Sequence, residues 1–374
     1  MNEFKGLGEA EDVEFLDGSG VEPSQEKNPK LFPTKRVHPH QFIANLFEKL
    51  GKEEGIEVRI EPEWRHCGEI VRKDGSISPF RGAHFDLNGM GAEQLAIDKD
   101  DTAYFLDRAG YNVIEGKSFY SPHWAQMLKS SYGIDAAYQY AKDELQFPVV
   151  LKPNSASQGR LVCVAYNKRS FMRAARKICK IDRVFLVQEL IHGHDYRIVV
   201  LDDKVLSAYE RLPLSIVGDG LSTVDQLLKH KQELFIARGR DTTIDTEDFR
   251  IDERLTRQGR TRLTVLSLGE SLALLDNCNL STGGDSIDVA DDIHPSYQEL
   301  AIGIARSRGL RYCGVDLMVQ DDIRKPLNAE TNNYHIIELN SAPGIDHYAE
   351  SGPKQAARVK EMYRAVFRKI AHIE

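Results

Sequence analysis

The sequence predicts an α+β protein in which antiparallel hairpins build the sheets and the helices are separate segments packed against them. Apolar runs of strand length occur in pairs: DYRIVVL and KVLSAYERL flank Asp202-Asp203, and RYCGVDLMV is followed by YHIIELN. Helical periodicity lies outside those pairs, most clearly where Val359, Met362, Tyr363, Val366, Phe367 and Ile370 fall on one face. A length of 374 residues, 41% of them hydrophobic, suits two or three domains with cores and excludes a wholly disordered chain.

In chain order, residues 1–35 carry acidic residues, Gly and Pro without a sustained apolar period, and read as an arm. From Gln41 to Leu50 the apolar positions Phe42, Ile43, Leu46, Phe47 and Leu50 keep helical spacing, and Val58 to Ile60 read as a strand, so residues 36–97 are expected to form a small α/β domain. Asp98 and Lys99 open a helix whose apolar face is expected to include Ala103, Leu106 and Ala109, with Gly110 as its stop. FPVVLKPNSASQGRLVCVAY reads as two strands around a loop of small and polar residues, and VFLVQELI as a third strand, which gives a lobe over 98–192. A second lobe, 193–374, starts with the hairpin at Asp202-Asp203. Within it, residues 218–269 turn polar with little long-range apolar order and read as surface elements or a mobile lid. HPSYQELAIGIARSRGL is an amphipathic helix, the two strands around Asp316 and Glu338 follow, and the periodic tail helix closes the chain.

Charge and cysteine usage limit the partners. With 49 basic against 57 acidic residues the chain carries −8, which disfavours nucleic acid and anionic membranes as partners. No apolar run approaches membrane-helix length, and the acidic start MNEFKGLGEAEDVEF lacks the plan of a signal peptide, so a cytoplasmic protein is expected. The five cysteines are odd in number and form no Cys-x-x-Cys pair, which reads as reduced thiols, Cys313 included.

Several residues stand out as chemistry. The loop from Asn154 to Gly159 joins two strands, and its small residues let backbone N–H groups approach a phosphate, although Gly and Ser also serve a plain turn. Lys152 ends an apolar strand, where an ammonium needs an anionic partner. Lys99 is a second candidate cation. Asp316, Glu338 and Asn340 place hard oxygen donors among Ile, Leu, Val and Met on adjacent strands, as Mg2+ requires; the alternative is a solvent-facing edge hairpin. VFLVQELI offers hinge backbone to an adenine edge with Leu190 and Ile191 as apolar walls, Asp195 can accept ribose hydroxyls, and Arg197 and Arg211 suit phosphate oxygens. NLSTGG, from Asn279 to Gly284, adds donors and glycines. His347, His294 and His192 are candidate substrate contacts, with His347 preferred. Arg254, Arg257, Arg260 and Arg262 read as a solvated surface or a carboxylate receptor.

In this order the segments resemble the ATP-grasp superfamily of carboxylate–amine ligases. RLPLSIVGDGLSTVDQLL, NLSTGGDSIDVADDIHP, CGVDLMV and IELNSAPGIDHY are particularly similar to the ligase modules of cyanophycin synthetases and bifunctional glutathione synthetases. The resemblance covers about Asp98 to His347. It implies an ATP-grasp fold, two α/β lobes holding ATP between them, preceded by a small pre-ATP-grasp domain. It further implies that Lys99 and Lys152 bind ATP phosphates under a loop carrying Ser155, Ser157 and Gly159, that Gln188, Glu189 and Ile191 form the adenine hinge, and that Asp195 takes the ribose. Asp316, Glu338 and Asn340 would hold two Mg2+ ions, or Mn2+ in their place, with Glu338 bridging. Arg211 and Asn279 would steady the transferred phosphoryl group, and Gly283, Gly284, Ser341 and Gly344 would line the substrate end. The implied partners are a small-molecule carboxylate and an amine, and the implied assembly is a homo-oligomer, dimer or tetramer. A kinase-like ATP-grasp phosphotransferase and a non-catalytic ATP-binding regulator remain alternatives.

Overall fold

The computed structural model describes residues 41–156, 158–237, 240, 242–328 and 333–373. The expected arm at 1–35 lies outside them. The first described element, α1 (Phe42–Glu54), ends where Gly55 takes the left-handed conformation that favours glycine. It leads into β1 (Glu57–Ile60), β2 (Cys67–Val71), β3 (Ile77–Arg81) and β4 (His84–Phe85), an antiparallel meander in that order. The unit expected from one helix and one strand is therefore a helix on a four-stranded sheet; the short alternating strands at 67–85 were too polar to stand out in the sequence. After α2 (Met90–Ile97) comes α3 (Lys99–Arg108), opened by Asp98, whose carboxylate accepts from the N–H groups of Asp100 and Asp101. Thr102 and Leu106 are its buried residues, while Ala109 is exposed because the helix has already ended.

The second sheet is built from β5 (Gly116–Tyr120), β6 (Val149–Pro153), β7 (Cys163–Ala165) and β8 (Val184–Glu189), in the order β5-β8-β6-β7. Helices α4 (Pro122–Leu128), α5 (Ile134–Tyr140) and α6 (Lys168–Ile178) accompany it. Phe119, Val149, Leu151, Phe171, Phe185 and Val187 form its core with the small side chains of α5 and α6.

The third sheet begins at the predicted hairpin, β9 (His194–Leu201) and β10 (Lys204–Leu212), with Asp202-Asp203 at the tip. The chain then makes β11 (Ser215–Val217), α7 (Val224–Ala237), α8 (Phe249–Arg257) and β12 (Ser271–Ala273), which pairs with β11. This insertion has a core of its own, with Ile216, Val224, Leu228, Phe235, Ile251, Leu255 and Leu274 all buried. The polar reading of 218–269 thus missed two amphipathic helices, because their buried residues are few and widely spaced. Strand β13 (Asp285–Asp288), α9 (Pro295–Ser307), β14 (Tyr312–Val319) and β15 (Tyr334–Asn340) complete a five-stranded sheet ordered β13-β10-β9-β14-β15.

After the short α10 (Asp346–Ala349), α11 (Pro353–Ala371) buries the whole predicted stripe from Val359 to Ile370. One cluster joins Phe47 of α1, Phe80 and Phe85 of the meander, Val199 and Tyr209 of the large sheet, and Tyr363 and Phe367 of α11. The tail helix therefore fastens the first unit to one face of the five-stranded sheet. The opposite face, with Ile198, Val200, Val315 and Leu317, is covered by Tyr297, Ile304 and Ala305 of α9. Among the described residues, no helix is long and apolar enough to cross a membrane.

Candidate functional site

Strand register brings the predicted charged residues into one transverse row. Tyr209 pairs with Arg197, Arg197 with Asp316, and Asp316 with Glu338. In the neighbouring row Arg211 pairs with Asp195, and Asp195 with Met318. Side chains of residues two apart share a face, so Asp195, Arg197, Arg211, Asp316, Glu338 and Asn340 all project from the same face of the sheet. A register shift between Asp316 and Leu317 leaves Ile337 as an extra residue on β15. Ile337 and Glu338 consequently both line one cavity.

The charges are paired at close range. Arg197 donates from Nε and Nη2 to the two oxygens of Asp316, each at 2.7 Å. Arg211 donates from Nε and Nη2 to Asp195 Oδ1 at 2.9 and 2.6 Å, and its Nη1 lies 2.9 Å from Asp316 Oδ2. Burial pushes the fully enclosed Asp316 carboxyl up, but the two guanidinium groups outweigh this and hold it below the usual carboxylate range. Lys99 Nζ donates to the carbonyls of Asn154 and Ala156 at 3.2 and 2.7 Å and lies 3.6 Å from Glu338 Oε2. Burial, reinforced by Lys99, lowers the Lys152 pKa to about 8, with Glu338, Asp316 and Asp195 pulling it back up.

Asn340 Nδ2 lies 3.4 Å from Asp316 Oδ2 and 3.5 Å from Glu338 Oε1, so its carboxamide sits beside both carboxylates. Turned over, as a cation among these oxygens would require, it would present its own oxygen there. Asp316 Oδ2 is already crowded by donors, whereas Oδ1 receives Arg197 Nε alone. Glu338, Asp316 Oδ1 and Asn340 are the hard oxygens here that could hold Mg2+. Among the described residues no cluster of three His, Cys, Asp or Glu side chains is arranged for a metal.

Two cavities meet at this face. The smaller, about 260 Å³, lies where the chain passes from β8 to β9. Its walls include the apolar Ile114, Val150, Val164, Leu190, Ile191, Met318 and Ile337, with Lys152, Gln188, Glu189, His192 and Asp195 as polar groups. The larger, about 760 Å³, is lined by Arg197, Asn340, Ser341, Gly344 and His347 and reaches residues of the β-meander. Lys99, Ala156, Gln158, Arg211, Asn279 and Glu338 line both.

The loop between β6 and β7 is anchored from several sides. Ser155 donates from its backbone N–H and its hydroxyl to Asp182 Oδ2 at 3.0 and 2.8 Å. The carbonyl of Gln158 accepts from Ser281 Oγ at 3.1 Å, and that of Gly159 from Arg250 Nη1 at 3.1 Å. Gly159 has φ 66°, and a Cβ there would stand 2.3 Å from Asn279 Oδ1. Only glycine fits this approach.

A model of the RimK-like ATP-grasp domain matches residues 125–215. The solved bifunctional glutathione synthetase from Pasteurella multocida superposes with a TM-score of 0.55 at 24% identity, covering 87% of this chain and 43% of that one. This chain carries a RimK-like ATP-grasp domain. Its ATP-grasp sequence is 31% identical over 289 residues to the glutathione biosynthesis bifunctional protein of Mannheimia succiniciproducens, covering 75% of this chain and 34% of the relative. It is 33% identical over 264 residues to cyanophycin synthetase of Geminocystis herdmanii, covering 69% of this chain and 28% of the relative. The chain thus spans about a third of the length of the curated relatives it matches.

Most of the residues expected at an ATP-grasp site converge here, with some differences of role. Arg197 is engaged by Asp316, and the Asp195 carboxylate by Arg211. Gly283 and Gly284 line neither cavity: their N–H groups close the turn onto the carbonyls of Leu280 and Asn279, and a Cβ on either would strike buried neighbours. Ser157 lies outside the described residues. His347 lines the larger cavity, with Nδ1 3.2 Å from Thr242 Oγ1 and 3.4 Å from Glu350 Oε2. His294 caps α9 by accepting from the Ser296 N–H, a structural role. Arg254 and Arg257 pair with Asp276, Arg260 with Glu270, and Arg262 with Asp252, so the arginines of the insertion hold it together and form no receptor. Burial pushes the Cys313 thiol up to about 12, in keeping with a core residue.

The roles of two asparagines, one of them the first residue of the candidate phosphate loop, were missed in the sequence. Asn154 Oδ1 accepts from the N–H groups of Lys99 and Asp100 at 3.1 and 3.2 Å while its Nδ2 donates to Asp98 Oδ2 at 2.6 Å, clipping α3 to the end of β6. Asn277 bonds to Asn279 Oδ1 and Thr282 Oγ1 and leaves its own buried Oδ1 unpaired beside the smaller cavity. Neither role leaves a local sequence signal beyond the presence of Asn.

Proposed function

We propose that the chain is an ATP-dependent carboxylate–amine ligase that forms an amide bond through an acyl phosphate and releases ADP and phosphate. The observation that carries this reading is the seam of six residues shared by the two cavities, which gives a nucleotide and a second substrate one common point of contact.

The apolar slot by Leu190, Ile191, Met318 and Ile337 suits an adenine ring, with hinge backbone for its edge, and Asp195 is within the same walls for ribose hydroxyls. Lys152 and Lys99 then face the phosphates, with the backbone of Ser155, Ala156, Gln158 and Gly159 alongside. Glu338, Asp316 and Asn340 would hold Mg2+, as one or two ions, and the metal would neutralise phosphate charge. Attack of a carboxylate on the γ-phosphorus brings two anions together, so the chain's main contribution is orientation and cationic surroundings. Arg211 and Asn279 line the seam and are the candidate donors to the transferred phosphoryl group, Arg211 from guanidinium hydrogens not taken up by Asp195 and Asp316. An amine entering from the larger cavity displaces phosphate, and His347 is the candidate acceptor of its proton. The anchored loop and the insertion would keep water from the acyl phosphate.

The substrates are small molecules, and a homo-oligomeric dimer or tetramer is the assembly the resemblance favours, which light scattering tests. The deciding experiment is mass spectrometry of products from the purified protein with Mg-ATP and pooled carboxylic acids and amines. The expected result is a new mass of acid plus amine minus water, with ADP and phosphate in equal amounts. A phosphorylated product without free phosphate would overturn the ligase reading in favour of phosphotransfer.

A further inference from the structure

The turn that precedes β13 holds two asparagines whose side-chain orientations follow from one hydroxyl. Thr282 Oγ1 lies 2.9 Å from the backbone carbonyl of Asn279, which can only accept, so the hydroxyl hydrogen is committed there. Towards Asn277 the same oxygen is therefore an acceptor, and the atom 3.1 Å from it must be Nδ2. The second hydrogen of that nitrogen is directed to the side chain of Asn279 at 3.3 Å, where the atom must then be Oδ1. Each residue thus settles the next, and the last of them turns the oxygen end of the Asn279 carboxamide inward.

The end left over is the donor. Asn279 stands just before the short 3-10 turn Leu280–Thr282, a position from which an asparagine oxygen commonly accepts from the N–H groups that follow. It makes no such cap here. Its Oδ1 is held by Asn277, and among the described residues its Nδ2 has no hydrogen-bond partner, while the side chain lines both cavities. Gly159 closes over the pair: a Cβ there would stand 2.3 Å from Asn279 Oδ1 and 2.7 Å from Asn277 Nδ2.

Asn277 itself is 9% exposed, and its own Oδ1 is enclosed without a partner. A buried acceptor left unmet is unfavourable, and an apolar side chain of the same shape would avoid that cost. The two bonds that Asn277 donates account for a carboxamide at this position.

We infer that Asn277, keyed by Thr282, is a positioning residue that presents the Nδ2 hydrogens of Asn279, rather than its oxygen, to the terminal phosphoryl group of the nucleotide. Reversed, the Asn279 amide would turn an acceptor towards an anion, so the relay decides whether this side chain attracts or repels the phosphate. The inference rests on the ligase reading for the identity of the group that Asn279 meets. Asn277 and Thr282 act through Asn279.

The test compares nucleotide affinities by calorimetry and needs no turnover. The β,γ-imido analogue of ATP and ADP, each with Mg2+, are titrated into the native chain, Asn277→Leu, Thr282→Val, Thr282→Ser and Asn279→Ala. The native chain should prefer the triphosphate. That preference should fall about tenfold in Asn279→Ala, Asn277→Leu and Thr282→Val, with ADP affinity level, and return in Thr282→Ser, which keeps the hydroxyl. Combined with Asn279→Ala, neither Asn277→Leu nor Thr282→Val should lower it further. No preference in the native chain, a preference retained in Asn277→Leu, an equal loss of ADP binding, or a further fall in the double variants overturns the relay. A relay that passes these comparisons in a chain that makes no amide from any acid and amine would count against the ligase reading alone.

Discussion

Arg197 and Asp316 face each other across β9 and β14 and are joined by two parallel hydrogen bonds of 2.7 Å. The carboxylate is wholly buried, so its charge depends on this partner and on Arg211. Replacing Arg197 with Met removes two of those bonds and leaves an under-compensated buried anion, which should cost about 3 kcal/mol of stability. Denaturant unfolding should register the loss. Adding Asp316→Leu should recover part of it, and a double variant no better than Arg197→Met alone would refute the account.

Lys152 gives a pH dependence. Its pKa in the folded chain, about 8, is below the ordinary 10.5, so between those values the unfolded chain holds more protons and the native state gains stability as pH rises through that window. Below about 8 the lysine is charged in both states, and its unfavourable contribution is then greatest. A phosphate beside it would restore the higher pKa. Nucleotide binding near pH 8 should therefore take up a fraction of a proton, and affinity should weaken as pH rises beyond that. Calorimetry in buffers of different ionisation enthalpy measures the uptake, which should vanish in Lys152→Met.

Glu338 is the carboxylate at the seam with most freedom to bind an ion, being opposed by Lys99 at 3.6 Å and Arg197 at 4.0 Å. Glu338→Gln keeps the shape and removes the charge. Turnover should fall at least about a thousandfold with the thermal unfolding curve nearly unchanged. Residual activity within tenfold of the native chain would remove Glu338 from the proposed metal set.

Gly159→Ala introduces one carbon. It would sit 2.3 Å from Asn279 Oδ1 and force a φ of 66° on a residue with a side chain. The backbone penalty is about 1 kcal/mol, and the clash adds to it. The loop should move away from Asn279, weakening nucleotide binding while leaving global unfolding within about 1 kcal/mol of the native value. Equal nucleotide affinity in the variant would show that the loop does not need this approach.

Local pattern reveals what depends on local sequence. The tail stripe from Val359 to Ile370 could be read because burial on one face imposes a period, and the hairpin around Asp202 and the strand bearing Asp316 because burial on both faces makes nearly continuous apolar runs. The site residues were legible for a related reason: charges inside apolar runs need an explanation. The pairing of those charges was not legible, since it depends on which strands become neighbours, and β9 meets β14 across more than a hundred residues of intervening chain. The insertion escaped notice because Val224, Leu228 and Phe235 on α7 are buried one to a turn or less, among polar residues.

The two carbonyl anchors of the loop also carry a thermodynamic obligation. Arg250, whose guanidinium reaches the carbonyls of Gly159 and Val162, belongs to α8, and Ser281, bound to Gln158, belongs to the turn before β13. To the extent that these bonds couple the loop to α8, the effect of a bound ligand on the state of α8 equals the effect of that state on the binding of the ligand. Amide hydrogens of α8 should therefore exchange more slowly when the smaller cavity is filled. Conversely, a substitution that loosens α8 without touching the cavity should weaken ligand binding by up to that coupling free energy, so that the insertion acts as a dial on affinity.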